Sequence, residues 1–189
     1  MPEITADVVA RFYAILALVA IGAMVIVGGL RFLAVGSDRA LDAYAAFARI
    51  IQPRAIAVAW VVALLATVGS LYFSEVAGFT PCTLCWYQRI AMYPFVVLFG
   101  VATIRRARSV TGAAALAAIG AVVAGYHVAL EWLPSLDTGA CAAATPCTYV
   151  WFREFGIISL PTLALTAFLL ILTLLLVRDP DETDKMATP

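Results

Sequence analysis

Charged side chains and histidine are scarce in this sequence. Asp, Glu, Lys and Arg together make up only 13% of the 189 residues, and His127 is the one histidine. The sequence also has no phosphate-binding glycine motif, no internal repeat and no basic patch interleaved with aromatic residues, so no nucleic-acid partner is expected. Hydrophobic residues reach 64%, which excludes an ordinary soluble domain and indicates an integral membrane protein.

Long apolar runs, by contrast, are plentiful. A membrane-spanning helix takes roughly 17 to 25 residues. Helices are predicted because lipid offers no partners to free backbone groups, and because barrel strands would alternate polar and apolar residues. The sequence therefore predicts an all-α integral membrane protein. The five predicted spans are residues 12–33, 55–73, 86–104, 110–130 and 157–177.

Basic residues collect on one side of the predicted protein. If the spans alternate, nine of the 12 Lys and Arg residues share one face, whereas Arg11, Arg89 and Arg153 lie on the other. The positive-inside rule makes the nine-residue face cytoplasmic, so the amino terminus is expected outside and the carboxyl terminus inside. Both cysteine-bearing loops are then extracytoplasmic, where disulfides persist. The nine are Arg31, Arg39, Arg49, Arg54, Arg105, Arg106, Arg108, Arg178 and Lys185.

Composition divides the chain into three parts. Residues 1–54 hold the first span and a segment, 36–53, that is either an amphipathic helix on the cytoplasmic interface or a solvated linker. The first span is too long for a typical signal-peptide core and no clear cleavage region follows it, so we interpret it as a membrane helix. Residues 55–178 hold the other four spans, and residues 179–189 form a polar tail that is expected to be disordered.

The first pair of cysteines, Cys82 and Cys85, lies where a loop enters the third span. Thr80 is predicted to be the N-cap of that helix and Pro81 its first residue. Both thiols would then lie in the first turns, where free N–H groups and the helix dipole favour a thiolate. Since the thiolate is the form that attacks disulfides, the motif predicts a reactive dithiol.

The second pair, Cys141 and Cys147, lies in the long loop between the fourth and fifth spans. Two cysteine pairs admit relayed dithiol chemistry, two structural disulfides, or a metal site of four thiolates. Metal knuckles usually have two to four intervening residues, whereas five separate this pair, so no metal is assigned. A Cys-x-x-Cys ring is too small to stabilise the fold much, which favours redox chemistry over inert disulfides.

Two polar residues near the first cysteine pair are candidates for an electron-acceptor site. Arg89 lies four residues after Cys85 on the same helix face, where it can stabilise a thiolate and donate to a carbonyl oxygen of an acceptor. The alternative is an arginine that anchors the helix at the headgroups. His127, at the outer end of the fourth span, either lines the acceptor site or makes hydrogen bonds at the interface.

The residues that carry chemistry also carry a family resemblance. They are residues 82–89 (CTLCWYQR), Met92-Tyr93-Pro94, the pair Cys141 and Cys147, and residues 155–163 (FGIISLPTL). Over about residues 55–177 the chain resembles the disulfide bond formation protein B (DsbB) family, particularly its BdbC-like branch. Its second cysteine pair is closely spaced compared with some members. The vitamin K epoxide reductase group does similar chemistry, but its loop cysteines precede its Cys-x-x-Cys, and here the order is reversed.

The resemblance implies a four-helix transmembrane bundle of DsbB type in the bacterial inner membrane, to which the first span is an addition. It also implies a quinone-dependent thiol oxidase. A DsbA-like thioredoxin-fold partner would attack Cys141 of a Cys141–Cys147 disulfide. Electrons would then pass from Cys147 to Cys82 and Cys85, and Cys85 would reduce a quinone, ubiquinone or menaquinone, near Arg89. A non-enzymatic membrane protein with two structural disulfides is the alternative.

Overall fold

The computed structural model describes residues 2–107, 109–137, 139, 141 and 145–177, with the backbone alone for residues 2–4. The predicted disordered tail, residues 179–189, lies outside the described residues, as do Arg108, Arg178 and Lys185. In the described part, helices dominate and no β-strand is formed. The prediction of an all-α protein is confirmed.

Six α-helices follow one another in the described residues. A 3-10 turn, Gln52–Arg54, joins the second helix to the third, and a π-helical turn, Tyr72–Val76, extends the third. The six are α1 (Pro2–Leu33), α2 (Asp38–Ile51), α3 (Ala55–Leu71), α4 (Thr83–Ile104), α5 (Ala113–Trp132) and α6 (Leu160–Leu176).

The apolar helices correspond in order to the predicted spans. Four helical stretches are long and apolar enough to cross a bilayer: Thr5–Leu33, Asp38–Val76, Thr83–Ile104 and Ala113–Trp132. The apolar α6 has 17 residues and rises about 26 Å at 1.5 Å per residue, close to the thickness of the hydrocarbon core. The chain is a multi-pass membrane protein.

Helices α3 to α6 form a closed four-helix bundle, because each packs against the next and α6 packs against α3. Small residues let the helices approach closely. Phe168 of α6 lies over Gly120 of α5, where a Cβ atom would come within 2.3 Å of the ring. Phe95 and Phe99 of α4 stack in the centre of the bundle with ring centroids 4.8 Å apart.

The helix predicted within residues 36–53 is present as α2, which lies along α1 and outside the bundle. Its buried residues Tyr44 and Ala48 pack against α1 and against Val177, which follows α6. Arg31 of α1 lies over the Tyr44 ring, 5.2 Å from its centroid. The apolar face of α2 is therefore partly covered by the chain's own side chains, while Leu41 is 36% exposed.

Helix α1, the additional span, packs on the outside of the bundle against α6. Ala10, Ala14 and Ala17 are buried at this contact. The Tyr13 hydroxyl also donates to the Leu65 carbonyl oxygen of α3 at 3.0 Å. Helix α1 is thus tied to two helices of the bundle by packing and by a hydrogen bond.

Candidate active site

The helix that carries Cys-x-x-Cys begins two residues later than predicted, at Thr83. The prediction of Thr80 as the N-cap is wrong, because the chain stays extended through Cys82, whose φ and ψ are −77° and 175°. Cys82 itself is the N-cap, and its sulfur accepts the backbone N–H of Cys85 at 3.4 Å. The first thiol thereby takes the place of a capping oxygen at the positive end of α4.

Cys82 and Cys85 are free thiols whose Sγ atoms lie 3.1 Å apart, within hydrogen-bonding distance. His127 Nε2 lies 3.7 Å from the Cys82 sulfur on the buried side. The other ring nitrogen, Nδ1, lies 3.0 Å from the Gln88 side-chain nitrogen, which is a donor. The Gln88 amide therefore directs the imidazole so that Nε2 carries a proton toward the Cys82 sulfur.

These contacts lower the pKa of the Cys82 thiol. The largest cause is the hydrogen bond with the Cys85 thiol, which outweighs burial, and the hydrogen bond with His127 acts in the same direction. In the reduced pair, Cys82 is therefore the stabilised thiolate. The sequence predicted that Arg89 and the helix start stabilise a thiolate at Cys85. Because the helix begins later, the contacts that stabilise a thiolate in the reduced pair are made by Cys82.

We expect the alkylation rate of reduced Cys82 to stay constant from alkaline pH to well below the ordinary thiol pKa of about 8.5. His127→Phe removes the Nε2 donor, so the folded-state pKa of the Cys82 thiol should rise. The midpoint of the curve of alkylation rate against pH should then move up by about one pH unit. Mass spectrometry of iodoacetamide-treated, prereduced protein measures both profiles. Tyr126→Phe, a change beside His127 in α5, is the control and should leave the midpoint in place. An unmoved midpoint in His127→Phe would contradict this role.

Cys141 and Cys147 form a disulfide with Cα atoms 5.8 Å apart. Cys147 is only 1% exposed, whereas Cys141 is partly exposed. The sulfurs of Cys82 and Cys147 and a ring nitrogen of His127 all lie within 4.8 Å of one another. Such a trio can hold a metal, but the Cys147 sulfur is bonded to Cys141 here and offers no thiolate. The structure instead brings the two cysteine pairs within reach of exchange, through their buried members.

A layer of aromatic rings holds the second loop over the first. Phe79, just before the Cys-x-x-Cys, stacks on Trp151 with centroids 4.6 Å apart. Phe73 stacks on Phe79 at 5.6 Å and packs against Phe152 at 5.4 Å. Such pairs contribute about 0.5–1.5 kcal/mol each beyond burial. Because Trp151 and Phe152 follow Cys147 closely, this stacking positions the loop that carries it.

Arg89 is held by protein groups of α3. Its Nε donates to Ser70 Oγ at 3.0 Å and its Nη2 to the Ser70 carbonyl oxygen at 3.1 Å. The Tyr93 hydroxyl donates to the same Ser70 Oγ at 3.3 Å, and the Arg89 guanidinium lies over the Trp86 ring, 5.2 Å from its centroid. The two bonds to Ser70 engage two of the five N–H donors of the guanidinium.

A cavity of about 440 Å³ opens beside Arg89, between α1, α3, α4 and α6. Its walls are mostly apolar, and most of its polar groups gather around the first half of α4 and the end of α3. A smaller cavity of about 240 Å³ lies beside Cys82, and Cys85 lines both. Polar side chains of the larger cavity include those of Ser70, Cys85, Gln88, Arg89 and Tyr93.

His127 lines the smaller cavity and is not found among the described residues that line the larger one. It is turned toward Cys82 and Gln88 instead. The smaller cavity also contains Glu131, which the sequence analysis did not single out; its carboxylate accepts a hydrogen bond from the Ser159 hydroxyl. Glu131 could have been predicted from its spacing, because it follows His127 by four residues and so lies on the same face of an apolar helix.

The family model for disulfide bond formation protein DsbB matches residues 52–178, more than half of the chain. The chain belongs to the DsbB family. Among its relatives are the probable disulfide formation protein C 1 of Bacillus cereus, 41% identical over 122 residues (64% of this chain, 88% of the relative), and the disulfide bond formation protein C of Bacillus subtilis, 44% identical over 115 residues (60% and 83%). No solved structure matches significantly.

Membership of the DsbB family confirms the resemblance seen in the cysteine motifs. It makes the chain a membrane oxidoreductase of disulfide bond formation, and it implies a thiol–disulfide oxidoreductase as partner. The match begins at residue 52, so α1 and all of α2 lie outside the family region.

Proposed function

We propose that this DsbB-family protein is a quinone-dependent thiol oxidase that reoxidises a DsbA-like thioredoxin-fold protein outside the bacterial inner membrane. The observation that carries the proposal is a continuous series of sulfurs. It begins at the partly exposed Cys141, passes through the buried Cys147 and Cys82, and ends at Cys85 in the wall of the larger cavity.

The first exchange takes place at Cys141. A partner thiolate attacks its sulfur, the Cys141–Cys147 bond breaks, and the Cys147 thiolate leaves. The partner's second thiolate then attacks the partner sulfur that is bonded to Cys141 and releases reduced Cys141. The partner loses two electrons, and the loop pair gains them.

The second exchange joins the two pairs. The Cys147 thiolate attacks Cys82 of an oxidised Cys82–Cys85 pair, and Cys85 leaves. Cys141 then attacks Cys147, which restores the loop disulfide and expels Cys82. Cys82 is a good leaving group because His127 and the start of α4 stabilise its thiolate. In the structure the loop disulfide is formed and Cys82 and Cys85 are thiols.

Reoxidation of the reduced pair re-forms the Cys82–Cys85 bond and releases two electrons and the proton of the Cys85 thiol. Cys85 faces the larger cavity, and the Arg89 guanidinium lies in the same wall, where it would hold an acceptor oxygen. When bound, a quinone would supply the acceptor for these electrons. The cavity fits such a molecule, because it is largely apolar and has a few polar groups gathered in one region.

Purified protein should oxidise a reduced DsbA-like protein continuously only when quinone is present, with one quinone consumed per partner disulfide formed. The fall in quinone absorbance and the loss of partner thiols measure the two sides. Cys85→Ser is the matched control and should consume no quinone. A wild-type protein that consumes none would instead support a membrane protein with structural disulfides.

The orientation of the chain belongs to the same proposal, with the amino terminus and both cysteine-bearing loops outside and the carboxyl terminus inside. We expect a single cysteine placed at Glu3, in an otherwise cysteine-free chain, to react with a membrane-impermeant maleimide in intact cells. Labelling that requires permeabilised membranes would contradict the five-span arrangement.

A further inference from the structure

Helix α1 lies outside the region shared with the DsbB family, yet it forms one wall of the larger cavity. The family region by itself supplies the remaining walls, from α3, α4 and α6. The acceptor site proposed above is therefore bounded partly by residues that the family match does not include. The α1 residues that line it are Tyr13, Leu16, Ala17, Val19, Ala20 and Ala23.

The position of α1 is determined by a specific contact with α3. The Tyr13 ring lies so close to Gly69 that a Cβ atom there would come within 2.6 Å of the ring. The Tyr13 hydroxyl donates to the Leu65 carbonyl oxygen, and the ring packs near Phe73 with centroids 6.1 Å apart. At the outer surface, Arg11 forms an ion pair with Glu154 at 3.3 Å. Helix α1 is thus held in register with the cavity.

The wall that α1 forms is long and apolar. From Tyr13 to Ala23 the helix rises about 15 Å. The lining residues of α6, from Leu160 to Leu170, cover about the same rise. Since Cys85 lies in the first turn of α4, the reacting sulfur is near one end of this length. The volume of about 440 Å³ falls within the range of about 300–1,000 Å³ that holds drug-sized ligands, so there is room for more than one ring.

We propose that α1 makes this site selective for quinones that carry a long apolar side chain. The ring lies at the polar end beside Cys85 and Arg89, and the side chain extends between α1 and α6, where Ala20 and Ala23 leave space for it. The inference rests on the proposed quinone-dependent function. It adds that α1 recognises the apolar side chain of the quinone.

The test compares two acceptors with the same ring, 2,3-dimethoxy-5-methyl-1,4-benzoquinone and its 6-decyl derivative. Ala20→Phe places a ring in the path of the side chain, so the KM for the decyl quinone should rise about tenfold, a loss of about 1.4 kcal/mol of binding free energy. The KM for the ring without a side chain should stay within about twofold. Ile15→Phe is the matched control in α1, because Ile15 is 49% exposed and is not among the described residues that line the cavity.

Single-turnover oxidation of the reduced partner by fully oxidised protein, without quinone, reports whether the thiol sites are intact and should be equal in all variants. If Ala20→Phe does not insert stably, Ala23→Leu adds less volume deeper in the wall and should raise the KM for the decyl quinone about threefold. Equal effects of a cavity variant on both quinones, or the same effect in Ile15→Phe, would overturn the role of α1. A wild-type protein that reduces neither of these benzoquinones nor a naphthoquinone with the menaquinone ring would contradict the proposed function itself.

Discussion

Cys147→Ser will abolish turnover and leave the partner covalently bound to Cys141. In the wild-type protein the Cys147 sulfur is buried and lies within 4.8 Å of the Cys82 sulfur, so it is placed to pass electrons inward. Cys141 is the more exposed member of the loop pair. Without Cys147 no thiolate connects the partner to the α4 pair, and quinone-coupled turnover should fall by at least about a thousandfold.

The adduct is detected by non-reducing electrophoresis and located by mass spectrometry. The partner is supplied in its disulfide form, or as a variant that lacks its second cysteine and carries a mixed disulfide with a small thiol, so that the Cys141 thiolate attacks a disulfide and a thiolate leaves. Cys141→Ser is the matched control and should trap none, because burial keeps the partner from Cys147. An adduct on Cys147 in Cys141→Ser, with none on Cys141 in Cys147→Ser, would reverse the assigned order.

Arg89→Lys should raise the KM for quinone about 10- to 100-fold while the protein remains inserted and folded. Lysine keeps the positive charge but loses the planar fork of N–H donors. A hydrogen bond from a charged group is worth about 1.5–3 kcal/mol, which corresponds to this range. Steady-state kinetics at varied quinone concentration measure the change, and single-turnover oxidation of the partner should be unaffected.

The two Arg89 bonds to Ser70 allow a structural role to be separated from an acceptor-binding role. Ser70→Ala removes the side-chain acceptor of Arg89 and of Tyr93 but leaves the guanidinium in place. It should lower the thermal midpoint of the protein with only a small change in the KM for quinone. If Ser70→Ala reproduces the KM effect of Arg89→Lys, or if Arg89→Lys leaves the KM unchanged, Arg89 serves helix packing alone.

Hydropathy and short motifs were enough to predict the membrane helices and the family. The predicted spans match α1, α3, α4, α5 and α6 to within a few residues at most ends, because length and apolar content are local properties that burial in lipid imposes on each segment. The Cys-x-x-Cys followed by Arg89 is also local, since helical spacing alone places these residues near one another.

Local spacing failed where several polar groups compete for one position. The N-cap of α4 was assigned to Thr80 from residue preference, whereas the extended backbone places Cys82 there. For His127, spacing left the acceptor site and the interface open, and the structure shows its neighbours to be Gln88 and the Cys82 sulfur. Such pairings depend on which helix faces another, and a single helix does not contain that information.

By itself, the sequence determined that the chain is an all-α membrane protein with a Cys-x-x-Cys pair at the start of one helix, because these features depend on composition and on neighbours within about four residues. Only the tertiary structure brought Cys147 to Cys82, bound Arg89 to Ser70, and placed α1 in the wall of the cavity. Those contacts join residues far apart in the chain. The packing of small residues between helices and the stacking of aromatic rings between loops decide them.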